Sequence, residues 1–232
     1  MFKYQVKYED KQLDVYRFPY EPLDSNMFFI PLLDYGVIFD PNENDEIISL
    51  FEQYNTSHLK IFLTHEHYDH ISGVKWFQSR IDTQLICHKA CADVIAVEKN
   101  NKPKLISFIL ACRDVEDGGH RYQDFNNTVK KFSLKADITF ETTYELEVSG
   151  TIFNCFSTPG HSPGSAIYLL DNKYVFSGDS LIQNTPAIVK FPKSDEEAYN
   201  NITRPFLKSL DKNMLVFPGH GEPFKINEAK YL

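Results

Sequence analysis

Residues 63–73 read LTHEHYDHISG, which sets His65, His67, Asp69 and His70 within six consecutive positions of a chain that holds 8 histidines in all. Crowding imidazoles and a carboxylate in one short segment is unfavourable unless a cation or solvent satisfies them, so the fold must present this stretch where a divalent ion can be held. The preceding HLKIFLT has the composition of a short buried strand. His65 and His67 leave it at a spacing of two, which in extended backbone puts both imidazoles on one side, able to share an ion. Asp69 and His70 fall where a helix begins, aimed at a neighbouring point that suits a second ion. The zincin pattern H-E-x-x-H would need histidine at position 69, where this chain has Asp69, so Glu66 is not the base of a zincin.

Three later segments offer the donors such a site still lacks. STPGHSPGS carries His161, VFSGDSL carries Asp179 and LVFPGHGEP carries His220, each on a loop after a strand signal. Glycine beside each lets the backbone turn sharply and approach an ion.

The 232 residues are read as one domain, 1–232, with enough chain to bury a sizeable core. At 42% hydrophobic and 24% charged, the composition is that of a folded globular protein. A formal net charge of -8 and the lack of any Lys/Arg run argue against nucleic acid as a partner. The opening MFKYQVKYEDKQLDVYRF is charged throughout, without the apolar core of a signal peptide, and no apolar run is of membrane-span length. A cytoplasmic protein acting on a small molecule, with no membrane partner, is the expectation; oligomeric state is not legible. Cys87, Cys91, Cys112 and Cys155 form no CxxC pair and are read as buried reduced thiols.

Strand and helix signals recur in two halves. FKYQVKY and LDVYRF alternate as paired strands, and MFFIPLL and VIFD form a hairpin ending at Asp40. PNENDEIISLFEQY predicts a helix with Ile47, Ile48 and Phe51 on its apolar face, and HISGVKWFQSR a helix leaving the histidine cluster. KACADVIAVEKN is helical, and residues 99–135 are read as a helical insertion over the core, with DGGHRY, including His120, as a loop within it. The second half returns to strands, then DEEAYNNITRPFLKSL predicts a capped helix kinked at Pro205, and MLVFP a last strand.

THEHYDH, PGHSPGS, SGDSL and FPGHGEP, in that order, resemble the successive metal motifs of the metallo-β-lactamase superfamily, the glyoxalase II-like hydrolases being the nearest branch. The resemblance spans roughly residues 25–225. It implies an α/β fold, a four-layer αββα sandwich, with a two-metal site at one edge of the paired sheets. Carried over, His65, His67 and His161 would hold one ion, Asp69, His70 and His220 a second, and Asp179 would bridge them. Asp40 matches an early aspartate that supports the ligand loops without binding metal.

Two divalent ions are therefore expected, zinc first, with iron or manganese as alternatives for this mixed nitrogen and oxygen set. A pair about 3.5–4 Å apart lowers the pKa of water held between them from about 15.7 towards 7, giving a hydroxide nucleophile, with Asp69 and Asp179 as the catalytic carboxylates. The expected reaction is hydrolysis of a small ester-like substrate, thioester or lactone foremost. The sequence runs 12 residues past His220, so the C-terminal helical domain that glyoxalase II enzymes carry is not expected here. IQNTPAIVKFPKSD stands where those enzymes have a glycine- and arginine-bearing stretch, which disfavours a glutathione thioester, and Lys190 and Lys193 in it are read as solvated. The familiar di-zinc lactamases have cysteine where this chain has Asp179. A mononuclear iron persulfide dioxygenase and a metal-dependent nuclease or phosphodiesterase are the competing readings of the same motifs.

Overall fold

The computed structural model describes residues 1–20, 23–101, 103–129 and 131–232. The first half is built on a seven-stranded sheet: β1 (Phe2–Tyr8), β2 (Lys11–Tyr20), β3 (Ser25–Pro31), β4 (Tyr35–Phe39), β5 (His58–Leu63), β6 (Asp82–His88) and β7 (Ile138–Phe140), hydrogen-bonded in that order. The first four strands pair antiparallel and the rest parallel. Between them lie α1 (Glu46–Tyr54), α2 (Tyr68–Ile71), α3 (Val74–Gln78), α4 (Lys89–Ile95), α5 (Lys104–Asp117) and α6 (Arg121–Thr128). The second sheet has six strands, β8 (Thr143–Val148), β9 (Thr151–Ser157), β10 (Ala166–Leu170), β11 (Tyr174–Gly178), β12 (Leu215–Pro218) and β13 (Phe224–Lys225). Among the described residues β11 and β12 form its parallel pair, and α7 (Glu196–Ala198) and α8 (Arg204–Ser209) lie in the connection between those two.

Alternation along the strands decides the layers. Phe28, Ile30, Phe39 and Phe62 point from the first sheet into a core shared with Phe153, Tyr168, Phe176 and Phe217 of the second. Their neighbours Met27, Phe29, Ile38, Ile61 and Leu63 face the other way, against Ile47, Leu50 and Phe51 of α1, Phe77 of α3 and Cys91 of α4. On the far side, Ile167, Leu169, Val175 and Val216 of the second sheet pack on Leu207 of α8. The result is a four-layer αββα sandwich.

Several local readings are corrected. The apolar face of α1 is Ile47, Leu50 and Phe51, with Ile48 only half-buried. HISGVKWFQSR is not one helix: between α2 and α3 the N–H of Gly73 leaves the helical ladder and donates to Pro41 O (2.8 Å), and position 73 must be glycine because a Cβ there would meet the Asn42 backbone at 2.5 Å. DEEAYNNITRPFLKSL is a helix with a π turn at Tyr199–Thr203 rather than a simple kink; Pro205 has no N–H to give, and the widened turn just before it takes up the mismatch. Within 99–135, α5 and α6 form a helical pair joined at Gly118 and Gly119, so Arg121 and Tyr122 of DGGHRY are helical; Lys102 and Lys130 lie outside the described residues. Cys87, Cys91 and Cys155 are buried, but Cys112 is exposed. No helix among the described residues is long and apolar enough to cross a membrane.

Candidate metal centre

Four of the loops that build the centre leave the sandwich at one edge, each following the C-terminal end of a strand whose last aromatic is pinned in the shared core. Phe39 precedes Asp40, Phe62 precedes Thr64 and His65, Phe176 precedes Asp179, and Phe217 precedes His220. Phe39 stacks on Phe176 across the sheets with centroids 3.9 Å apart, and Phe176 on Phe217 at 4.9 Å. Parallel pairing of β4 with β5, and of β11 with β12, then brings all four ends out on the same side. Backbone bonds weld the edge together: Ala166 N donates to Thr64 O (2.8 Å), Gly219 N to Gly178 O (2.9 Å) and Asn26 N to Gly219 O (2.7 Å).

All seven suspected donors meet there, and all are buried except His67 and His220, which are partly open. His67 Nδ1 lies 3.0 Å from Nε2 of both His65 and His161. Asp179 Oδ2 is 3.5 Å from His161 Nε2, while its other oxygen, Oδ1, is 3.5 Å from His70 Nε2 and 3.6 Å from His220 Nε2. Asp69 Oδ2 closes the second group, 3.4 Å from His70 Nε2 and 3.5 Å from His220 Nε2. One carboxylate thus faces two separate sets of donors.

The outer hydrogen bonds fix which ring nitrogens are free. A backbone carbonyl can only accept, so His161 Nδ1–H donates to Ile188 O (2.8 Å) and His220 Nδ1–H to Leu23 O (3.2 Å). Thr64 donates its hydroxyl proton to Asp40 Oδ2 (2.6 Å), which leaves its oxygen to accept from His65 Nδ1–H (3.0 Å). Asp40 Oδ2 also accepts from His70 Nδ1–H (2.9 Å), and its Oδ1 accepts from Thr64 N–H (2.7 Å). In each of these four rings Nε2 is left to face the centre.

Burial, then the neighbouring His70 and His67, holds His65 well below the usual imidazole range, and burial followed by His161 lowers His67 to about 3. For His70 burial works downward too, but Asp69, Asp179 and Asp40 outweigh it and raise it to about 10. His220 is raised because Asp179 beside it overcomes its burial. Burial would raise Asp179, yet His220 and His70 pull it well below the carboxylate range.

These donors fit divalent cations. At the usual zinc–nitrogen distance of about 2.0–2.1 Å, two ligands of a tetrahedral ion stand roughly 3.3 Å apart, close to the separations seen in both groups. His70 Nε2 and Asp179 Oδ1 are fully buried and have no hydrogen-bond partner, an arrangement costly without a cation. Asp40 with His65 and His70 also cluster, but Asp40 is not a credible ligand: both its oxygens already accept bonds, and it acts by setting the orientation of His70 and Thr64. Its φ of 51° lets it turn back under the loop. Gly219 is required by close approach, since a Cβ there would sit 2.2 Å from Asp179 Oδ1.

Other residues hold the centre without a motif to mark them. Arg17 donates to Gly221 O (2.7 Å) and pairs with Glu222, and Asn26 Nδ2 donates to Pro218 O (2.9 Å) and Gly221 O (2.8 Å), so β2 and β3 grip the His220 loop. Arg17 shares the inward parity of Leu13 and Val15, and a charge on that face was the readable signal. Glu66 is buried and accepts from Ser162 Oγ (2.9 Å), tying the first loop to the His161 loop. A cavity of about 360 Å³ opens onto the centre, with His67, Asp69, Asp179 and His220 on its floor and Ile106, Ile109 and Arg113 of α5 in its wall. His120, Lys190 and Lys193 are exposed and do not line it.

The comparisons agree with this geometry. Among curated proteins, the probable metallo-hydrolase YqgX of Bacillus subtilis (strain 168) is 28% identical over 207 residues, which cover 88% of this chain and 89% of that one. Hydroxyacylglutathione hydrolase GloC of Haemophilus influenzae is 24% identical over 197 residues, 84% of each chain. The crystal structure of TTHA1623 in a di-iron-bound form shares the fold with a TM-score of 0.70 at 23% identity, covering 92% of this chain and 96% of its own. The Metallo-beta-lactamase superfamily description matches residues 59–220, a span that contains the donors from His65 to His220, and the chain belongs to that superfamily of metal-dependent hydrolases.

Proposed function

We propose that this protein is a binuclear hydrolase of a small ester-like substrate, a thioester or lactone foremost. In this reading His65, His67 and His161 hold one divalent ion, Asp69, His70 and His220 hold a second, and Asp179 bridges them. The observation that carries it is the carboxylate of Asp179, whose Oδ2 faces His161 while Oδ1 faces His70 and His220. A relative named as a hydroxyacylglutathione hydrolase and a shared fold solved in a di-iron-bound form support it. Zinc is the first choice of metal and iron or manganese the alternatives.

Bound divalent cations would supply Lewis acidity, polarising a carbonyl and acidifying water. The chain's own residues do the rest. Asp69 and Asp179 stand on the cavity floor, where a carboxylate can take up the proton of attacking water. Asp40 and Thr64 hold His70 and His65 in one tautomer, and the carbonyls of Ile188 and Leu23 do the same for His161 and His220. The apolar wall keeps bulk water from the reacting bond.

The test is metal analysis of gently purified protein together with turnover of a panel of thioesters, lactones and phosphodiesters. About two divalent ions per chain with thioester or lactone hydrolysis is the expected result. A single iron with oxygen consumption on a persulfide, or turnover confined to phosphodiesters, would overturn the reading.

A further inference from the structure

The cavity over the centre has two chemically different ends. Its floor is the donor cluster, and its wall is apolar, with Leu23, Ile106, Ile109 and Phe191 among the lining side chains. At the outer end stands Arg113, the arginine among the described lining residues. Ile106, Ile109 and Arg113 are spaced three and four apart along α5 and so share one face of that helix. Exposure rises along this face, from buried Ile106 through half-buried Ile109 to exposed Arg113. From Ile106 to Arg113 the helix rises about 10 Å along its axis, comparable to the length of a medium apolar chain, and Arg113 also borders a neighbouring hollow lined by Asp24 and Asp124. Ile106 is anchored below by Leu23, Leu110 and Phe125, which fixes this face of α5 towards the cavity.

We propose that Arg113 is the anchor for an anionic end of the substrate, and that the substrate is an ester or thioester in which an apolar chain separates the scissile carbonyl from a carboxylate. This rests on the hydrolase reading above and adds the substrate's second point of recognition. Arg113 also interacts within the protein, and a guanidinium with five N–H donors can keep such a contact while binding a carboxylate in its fork. The apolar wall accounts for the chain, and the pairing of charges accounts for its end. Lys190 and Lys193 do not line the cavity, and among its described lining residues Arg113 is the one Lys or Arg side chain.

The experiment compares hexanoyl and adipoyl thioesters of N-acetylcysteamine, which differ by a terminal carboxylate on the acyl chain, and adds the hexanoyl thioester of 3-mercaptopropionate, which carries its charge on the thiol side. Metal-loaded wild type and Arg113→Met are assayed with all three. The expected result is a kcat/KM about tenfold higher for one charged substrate than for the neutral one in the wild type, equivalent to about 1.4 kcal/mol. That preference should fall to within twofold in Arg113→Met, whose folding is checked separately by its urea midpoint and its metal content. The arm that carries the preference tells whether the anion lies on the acyl or the thiol side. A second readout is calorimetric binding of adipate against hexanoate to the metal-loaded protein, where the diacid's advantage should vanish in the same variant. Equal turnover of charged and neutral substrates, or a preference that survives Arg113→Met, overturns the assignment and leaves the hydrolase reading standing. No turnover of any thioester or lactone by protein holding two divalent ions overturns the hydrolase reading and this assignment with it.

Discussion

Replacing Asp40 by asparagine isolates the part of the centre that lies one bond behind the metal donors. Asparagine tolerates the φ of 51° found there, so the backbone need not move. The amide must place its NH2 at one of two positions. At Oδ1 it would confront the backbone N–H of Thr64, 2.7 Å away, which cannot become an acceptor. At Oδ2 it would meet the Thr64 hydroxyl and His70 Nδ1, both of which can change role. The second orientation therefore wins, and it asks His70 to accept at Nδ1 and carry its proton on Nε2, the nitrogen that faces Asp69 and Asp179. The lone pair offered to a cation is then lost unless the new bond is given up. Loss of such an outer partner typically costs roughly 10–100-fold in metal affinity, here at the Asp69, His70 and His220 group, equivalent to about 1.4–2.7 kcal/mol. The metal-free fold should lose less, about 1–2 kcal/mol, because Thr64 Oγ1 keeps a partner. Competition with chelators of graded affinity measures the first quantity, and nitrogen-15 spectra of the histidines report the tautomer. Metal affinity within twofold of wild type, with His70 still protonated at Nδ1, would refute the reasoning.

Gly219→Ala should abolish metal retention and destabilise the fold by roughly 1–3 kcal/mol, because the new Cβ meets Asp179 Oδ1 at 2.2 Å and the Gly178 carbonyl carbon at 2.9 Å; normal metal content and an unchanged urea midpoint would contradict this. Asp179→Asn is expected to slow hydrolysis by roughly 100-fold or more through loss of the proton acceptor, and unchanged turnover at full metal occupancy would remove that role. Arg17→Met removes one of two donors to the carbonyl of Gly221, Asn26 Nδ2 keeping the other, so unfolding free energy should drop by about 0.5–1.5 kcal/mol in urea titration, with metal bound by His220 released first. Loading metal into metal-free protein at about pH 7 should release at least one proton, since His70, raised to about 10, is charged there; calorimetry in buffers of different ionisation enthalpy counts it, and apparent affinity should rise with pH up to about 10.

The layers were legible because alternation is a two-residue signal: Phe28 and Ile30 against Phe29 is readable before any sheet is drawn. That the suspected donors would come together was legible for a different reason: ligand chemistry admits few residue types and places them beside glycine. The two failures along the helices share a cause. HISGVKWFQSR is interrupted at Gly73, whose N–H donates to Pro41 O far earlier in the chain, and that contact has no local signature. The π turn before Pro205 is likewise one of several ways to absorb a missing N–H. Cys112 was misplaced because α5 turns that side of itself to solvent, its inward face being set by Leu23 and Phe125 from elsewhere in the chain. Arg17 was passed over although its parity placed a charge inside; read strictly, the pattern demanded a partner, which the loop at Gly221 and Glu222 provides.

The centre also explains how so many charges can be gathered at the edge of an apolar core before any metal arrives. Asp40, Asp69 and Asp179 are all buried, and three unpaired carboxylates there would oppose folding by several kcal/mol each. Protons can stand in for cations. His70, raised to about 10 by those same carboxylates, carries a charge at neutral pH, and the shift of His220 has the same sign and a related cause. His65 and His67, driven down chiefly by burial, stay neutral with lone pairs available. The two halves of the cluster therefore differ in the metal-free state: His65 and His67 offer neutral rings, whereas His70 carries a proton that a cation must displace. In the binuclear reading, the expected order of loading is the side of His65 and His67 before the side of His70, because Asp69 and Asp40 both hold the proton on His70 while burial keeps His65 and His67 neutral.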